Sequence, residues 1–230
     1  MTSMPSPLGH ALGGIAVAWA ADLFPGRRPC AALQDGNPDQ GGREPVPSRR
    51  EKSQWTGFYR RAGGACTLAC AALAVSPDLD LVLTSHRTAT HSLTAAALVT
   101  ILAAAVTGWV TRGRLPTGRV ALMCGAAYAG HLLLDWLAID RTPPYGLQIL
   151  WPFSQTWFIS GADLFLQTER RQFLSVASIR TNLLAMAWES AILLPVLAGL
   201  WLVRVKTLAR LAAQATGGDH AAQKRARPVL

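Results

Sequence analysis

The chain has 230 residues, of which half are hydrophobic and 15% charged, and its mean hydropathy is +0.24. An ordinary soluble domain is about 25% charged. One core of this size cannot hide so much apolar surface, so the composition points to a membrane and excludes a mostly disordered chain, a coiled coil and a disulfide-rich secreted scaffold. The excess of 22 basic over 13 acidic residues, net +9, suggests nucleic acid in a soluble protein but topology in a membrane protein, so its distribution decides.

In chain order, the first apolar run is 11–24, extendable back to Pro5, and the second is 62–75. Both are short for a spanning helix of about 20 residues and are open to re-entrant or buried readings. Residues 1–9 carry no positive charge, so no secretory signal is expected. Between the two runs lies a segment rich in Pro, Gly, Arg and Gln, 25–53, which reads as a disordered insert. Three longer runs follow at 92–110, 120–139 and 183–203, each long enough to span. Residues 213–230 resemble the insert in composition. The expected architecture is all-α and polytopic, with about five membrane-embedded helices. Its parts are a first membrane helix (1–24), a basic insert (25–61), a membrane core (62–203) and a basic cytoplasmic tail (204–230).

With five crossings, the insert 25–61 carries eight Lys and Arg, the loop 111–119 three and the tail six, all on one side; five lie on the other. The positive-inside rule then puts the N-terminus outside and the C-terminus in the cytoplasm. This segregation accounts for the net charge without nucleic acid, and the basic loops suit anionic membrane lipid. Of the four cysteines, Cys66, Cys70 and Cys124 sit in apolar runs and read as buried thiols, and Cys30 sits in the insert.

Ionisable groups inside or beside spanning helices mark function by default. Under this arrangement His10, Asp78, Asp80, His86, His91, His131 and Asp135 collect at the outer face. Because the topology rests on Lys and Arg alone, the convergence is an independent sign of a site. His131 and Asp135, four apart on one helix, share a face and can ligate one metal, orient one another, or simply bond between helices. Asp78 and Asp80 follow Pro77 and could be a solvated helix end, although two acids at a C-terminus are unfavourable there. Imidazoles plus carboxylates without cysteine suit a divalent ion, zinc first and manganese or iron as alternatives.

The motifs PSPLGHALGG, SPDLD, HRTATHS, GHLLLDWL and PPYGLQILWPFS, in that order, resemble the YdjM-type family of LexA-regulated, inner-membrane-associated metal-dependent hydrolases. The resemblance covers roughly residues 5–171, interrupted by the insert. It implies a bacterial inner-membrane protein with a hydrolase site at His10, Asp78, Asp80, His86, Arg87, His91, His131 and Asp135. The family is also distantly similar to the helical zinc-dependent phospholipase C and nuclease fold. Only one helix-borne HxxxD motif is present here, so one or two ions fit better than a three-zinc cluster.

On that basis His10, Asp78, His91, His131 and Asp135 are the expected ligands. Asp80 is a ligand, a bridge or the base for an attacking water, and His86 a ligand or general acid. Arg87 either clamps an anionic oxygen or anchors at the membrane surface. Glu189, within the last span, is a ligand, a second partner or a bundle contact, and Asp22 an interfacial residue. The aromatic loop 142–154 reads as an anchor or lid at the outer interface. Two functional readings follow. One is a hydrolase of phosphoester bonds in a lipid or lipid-linked substrate. The other is a non-enzymatic metal-binding membrane protein, transporter or scaffold.

Overall fold

The computed structural model describes residues 5–24, 62–82, 87–112, 116–141, 143–169 and 174–225, with backbone alone at 81–82 and 208–225. The insert 25–53 and His86 lie outside the described residues.

Among the described residues, five α-helices carry the fold: α1 (Pro7–Ala21), α2 (Gly64–Val75), α3 (Leu93–Thr111), α4 (Thr117–Trp136) and α5 (Val176–Arg225). A 3-10 segment, Ser76–Val82, prolongs α2. Among the described residues there is no strand, only two isolated bridges, Ala138 to Phe165 and Leu147 to Phe158. Local chemistry starts the helices. Ser6 and Ser92 cap α1 and α3, each hydroxyl accepting a backbone N–H, from Gly9 and Ala95 respectively. Pro7 occupies the first turn of α1, where its missing N–H costs nothing.

Helix α1 is central, packing on α2, α4 and α5; α4 also packs on α2 and α3. The seam of α1, α2 and α4 is built from small side chains: Ala18, Cys66, Cys70, Val120, Cys124 and Ala127. Small residues let backbones approach where lipid offers no hydrophobic drive. At Gly14 a Cβ would strike the Cys70 carbonyl and the Ala74 methyl. Cys66, Cys70 and Cys124 are buried thiols outside any disulfide.

Helix directions alternate. Trp19 donates to the Ala62 carbonyl at the start of α2, whereas Ala74, at the end of α2, packs on Gly14, halfway back along α1. Arg119, at the start of α4, donates to the Ala21 and Phe24 carbonyls, and Asp135, near its end, meets His10. Thr100 of α3 faces Gly125 of α4, and Gly108 faces Thr117. Helix α5 runs parallel to α1: Glu189 meets Ser6 and Arg204 meets Asp22. One end of the bundle therefore gathers His10, His91 and His131 with Asp78, Asp80 and Asp135, and the other gathers Asp22, Arg119 and Arg204.

The expectation of five spanning helices is corrected. Among the described residues only two helices are long and apolar enough to cross a membrane, α3 over Leu93–Thr111 and α5 over Val176–Thr207. At 15 and 12 residues, α1 and α2 are about 22 and 18 Å long, against a hydrocarbon core of about 30 Å. Helix α4 has 20 residues, but Arg119, His131 and Asp135 lower its hydropathy, and it turns them into the bundle. The two long helices expose what lipid would cover: Leu98, Ile101, Leu102 and Trp109 on α3, and Leu183, Leu194 and Leu202 on α5. The tail also differs from expectation, because α5 continues as helix to Arg225. Asp22 lies at the C-terminal end of α1. It is buried, and its Oδ2 accepts Arg204 Nε and Nη2 at 3.0 and 2.8 Å.

Candidate metal centre

Four elements bring the site together. Glu189 accepts the Ser6 N–H at 2.8 Å and the Ser6 hydroxyl, while that hydroxyl accepts the Gly9 N–H at 3.1 Å. This double hold fixes the first turn of α1 on α5 and presents His10 one turn further in. The 3-10 segment carries Asp78 and Asp80. The loop before α3 carries His91, steadied by Tyr128, whose hydroxyl donates to the Thr90 carbonyl at 2.7 Å. The last two turns of α4 carry His131 and Asp135.

Every one of these side chains is buried. His10, His91 and His131 are 0% exposed, Asp80 and Asp135 4% and 5%, and Asp78 7%. His10 stacks on His131 with ring centroids 3.7 Å apart, and its Nε2 lies 3.3 Å from Asp135 Oδ1. His131 Nε2 lies 3.1 Å from both Asp135 Oδ2 and His91 Nε2, and 3.6 Å from Asp78 Oδ1. His91 Nε2 lies 3.5 Å from Asp135 Oδ2 and 3.6 Å from Asp78 Oδ1.

The outer nitrogens settle the tautomers. His131 Nδ1 sits 2.7 Å from the Ala74 carbonyl, which can only accept, so Nδ1 carries a proton. His91 Nδ1 faces Asp80 Oδ2 at 3.3 Å and the Thr90 hydroxyl at 3.0 Å; that hydroxyl donates to Asp80. In their neutral forms both imidazoles thus aim an Nε2 lone pair at the other and at carboxylate oxygens. Only a proton or a cation relieves that arrangement. In the metal-free protein His91 takes the proton. Burial opposes its charge, but hydrogen bonds to Asp78 and Asp80 and the charge of Asp135 outweigh burial and push it up to about 9. Burial likewise disfavours the Asp78 carboxylate, yet the His91 hydrogen bond holds it below the usual range.

The donors fit a divalent ion. Two overlapping sets have ligand atoms mutually close enough to hold one: His10, Asp78 and His131; and His91, His131 and Asp135. Both His10 ring nitrogens and both Asp135 oxygens are buried without a hydrogen-bond partner. Imidazole and carboxylate without thiolate suit zinc, manganese or iron. Ala74 and Asp80 serve as the outer partners that metal-bound histidines require.

Two expected site residues stand apart from these donors. Asp80 faces the outer nitrogen of His91 rather than the shared space. Arg87 is buried with φ +65°, and its Nη1 pairs with Asp140 Oδ2 at 2.5 Å. Asp140 Oδ2 also accepts the Gly146 N–H, and the Arg87 carbonyl accepts the Gln148 N–H. Arg87 thereby joins the His91 loop to the loop 138–148. That second loop lies over the start of α3, where the Ile149 and Trp151 carbonyls accept from the Leu93 N–H and the Thr94 hydroxyl. Sequence reasoning missed Thr90, Asp140 and the Ala74 carbonyl. Only Thr90 carried a signal, as the neighbour of His91 within HRTATHS.

No curated protein and no solved structure matches the chain, so the distant likeness to the phospholipase C fold finds no support. A family model described as YdjM inner membrane protein matches residues 4–216, a span that includes every donor of the cluster. With the ordered motifs and the buried His/Asp centre, this match establishes that the chain belongs to the YdjM inner membrane protein family.

Proposed function

We propose that the protein is a membrane-bound metal-dependent hydrolase of phosphoester bonds in a lipid or lipid-linked substrate. The observation that carries the reading is the facing Nε2 pair of His91 and His131, closed on two sides by Asp78 and Asp135. A bound divalent ion would supply Lewis-acid polarisation of a phosphoryl oxygen and a water acidic enough to react at neutral pH. His10, Asp78, His91, His131 and Asp135 would hold it. Both candidate sets share His131, which favours one ion at that nitrogen; a second would need a bridging carboxylate. Asp80 with Thr90 holds His91 in the ligating tautomer, and Asp80 remains the nearest further carboxylate to take a proton. Arg87, engaged by Asp140, holds the site's loops together.

The centre lies at the bundle end opposite Asp22, Arg119 and Arg204, which supports an outer-face site, N-terminus outside and C-terminus cytoplasmic. Substrate would then come from the outer leaflet, and nucleic acid has no part. The test is hydrolysis by detergent-purified protein of a phosphodiester reporter and a phospholipid panel, with zinc, manganese or iron added. Activity abolished by chelator and by Asp135→Asn supports the reading.

The near-complete burial of the donors favours a second reading, a non-enzymatic metal-binding membrane protein, because closed sites are characteristic of structural metals. Full metal loading with no turnover on any phosphoester would select it.

A further inference from the structure

A second, unassigned feature lies along the other face of α1. Leu12, Ile15 and Trp19, at helical spacing, floor an apolar groove of about 760 Å³. Leu68 of α2 borders one side, and Leu197 and Trp201 of α5 the other. Its size falls within the roughly 300–1,000 Å³ of pockets that take small ligands.

We propose that this groove holds the acyl chain of a membrane lipid. Three observations identify hydrocarbon as the occupant. First, polar atoms bordering the groove are already used: Trp19 Nε1 and the Thr67 hydroxyl both donate to the Ala62 carbonyl, at 2.7 and 2.6 Å. A ligand that brought polar atoms against this lining would leave them buried and unpaired, whereas a methylene chain brings none. Second, the groove lies between two buried polar anchors that join α1 to α5, Ser6–Glu189 at one end and Asp22–Arg204 at the other. Between them it runs about 10 Å along each helix, from Leu12 to Trp19 and from Leu194 to Trp201. That places it within the apolar belt of the bundle. Third, it is continuous with the lipid-facing surface. Leu194 lines the groove and is half exposed on α5, and Leu68 is 64% exposed on α2. An acyl chain can therefore enter sideways without crossing a polar rim.

The occupancy does not depend on hydrolysis. It is tested in cells fed a diazirine-bearing fatty acid that enters their phospholipids. After illumination, the full chain is purified and labelled peptides are mapped. Label should concentrate on 12–19 and 194–201 over the exposed face of α3, which reports ordinary lipid contact. Ala198→Trp, which fills the groove, should reduce that label about tenfold and leave α3 labelling unchanged. Ile15→Trp fills it from the floor and serves if Ala198→Trp lowers the yield of folded protein. Label spread evenly over α3 and α5, or insensitive to both variants, would overturn the proposal. So would labelled α3 with no label on 12–19 and 194–201, the result expected if a second copy of the chain or residues 25–61 filled the groove instead of lipid.

Discussion

His91 and His131 face each other through their Nε2 atoms at 3.1 Å, and each has its Nδ1 proton committed behind it, to Asp80 and Thr90 in one case and to the Ala74 carbonyl in the other. Two lone pairs cannot hold that separation without a positive charge between them. The pairing is the strongest physical reason to place a cation at the end of this bundle. One of the two comes from the loop before α3 and the other from α4.

His131 is shared by both candidate ligand sets, so His131→Ala should abolish metal retention while the protein still inserts in the membrane. Elemental analysis of purified protein against wild type reads the first, and membrane fractionation the second. A merely structural histidine would instead leave metal content unchanged and lower the melting temperature, through a lost hydrogen bond to Ala74 of about 1–3 kcal/mol.

Asp80 gives a sharper division. If it positions His91, Asp80→Asn should weaken metal binding about 10–100-fold, the usual cost of disturbing an outer partner. Titration of metal into stripped protein measures this. Unchanged affinity with turnover down about 10²–10⁴-fold would instead make Asp80 the base.

Metal binding should depend on pH in a definite direction. In the metal-free protein His91 holds its proton up to about 9, against about 6.5 in an unfolded chain. Its folded value is raised, so the stability that the proton contributes is complete below about 6.5 and is lost as pH rises through about 9. An arriving ion must displace that proton. Stripped protein should therefore melt at falling temperature across this window, while metal affinity rises about tenfold per pH unit and levels off above 9. Flat affinity between pH 6.5 and 9 would remove His91 from the ligand set.

At the opposite end, Arg204→Met should destabilise the bundle by roughly 3–5 kcal/mol, because buried Asp22 loses the guanidinium that donates to it twice. Asp22→Val combined with Arg204→Met should restore much of the loss. Thermal unfolding of the three variants in detergent checks this; a single variant as stable as wild type would mean that water reaches the pair.

The HxxxD motif in α4 was legible because residues four apart on a helix share a face whatever surrounds them. The gathering of His10, Asp78, His91, His131 and Asp135 was legible because ionisable groups in apolar runs have few other reasons to exist. The division of labour between Asp78 and Asp80 was not, since a tight 3-10 segment decides which of two acids two residues apart faces the shared space. Arg87 with Asp140, Glu189 with Ser6, and Arg204 with Asp22 were not legible either. Each joins segments far apart in the chain, and pairing at that distance leaves no local periodicity. The number of spans was overestimated for a related reason. The small apolar residues that α1 and α2 pack into the bundle, Ala18, Cys66, Cys70 and Ala74, answer a demand that composition alone cannot distinguish from burial in lipid.

The most direct measurement is anomalous diffraction from crystals grown with zinc at neutral pH. The account predicts an anomalous peak about 2.0–2.1 Å from the Nε2 atoms of both His91 and His131, with an Asp135 oxygen at about 2.0–2.2 Å. A well-ordered structure with zinc present, no peak between those two nitrogens and a proton-bridged His91–His131 pair in its place would contradict it.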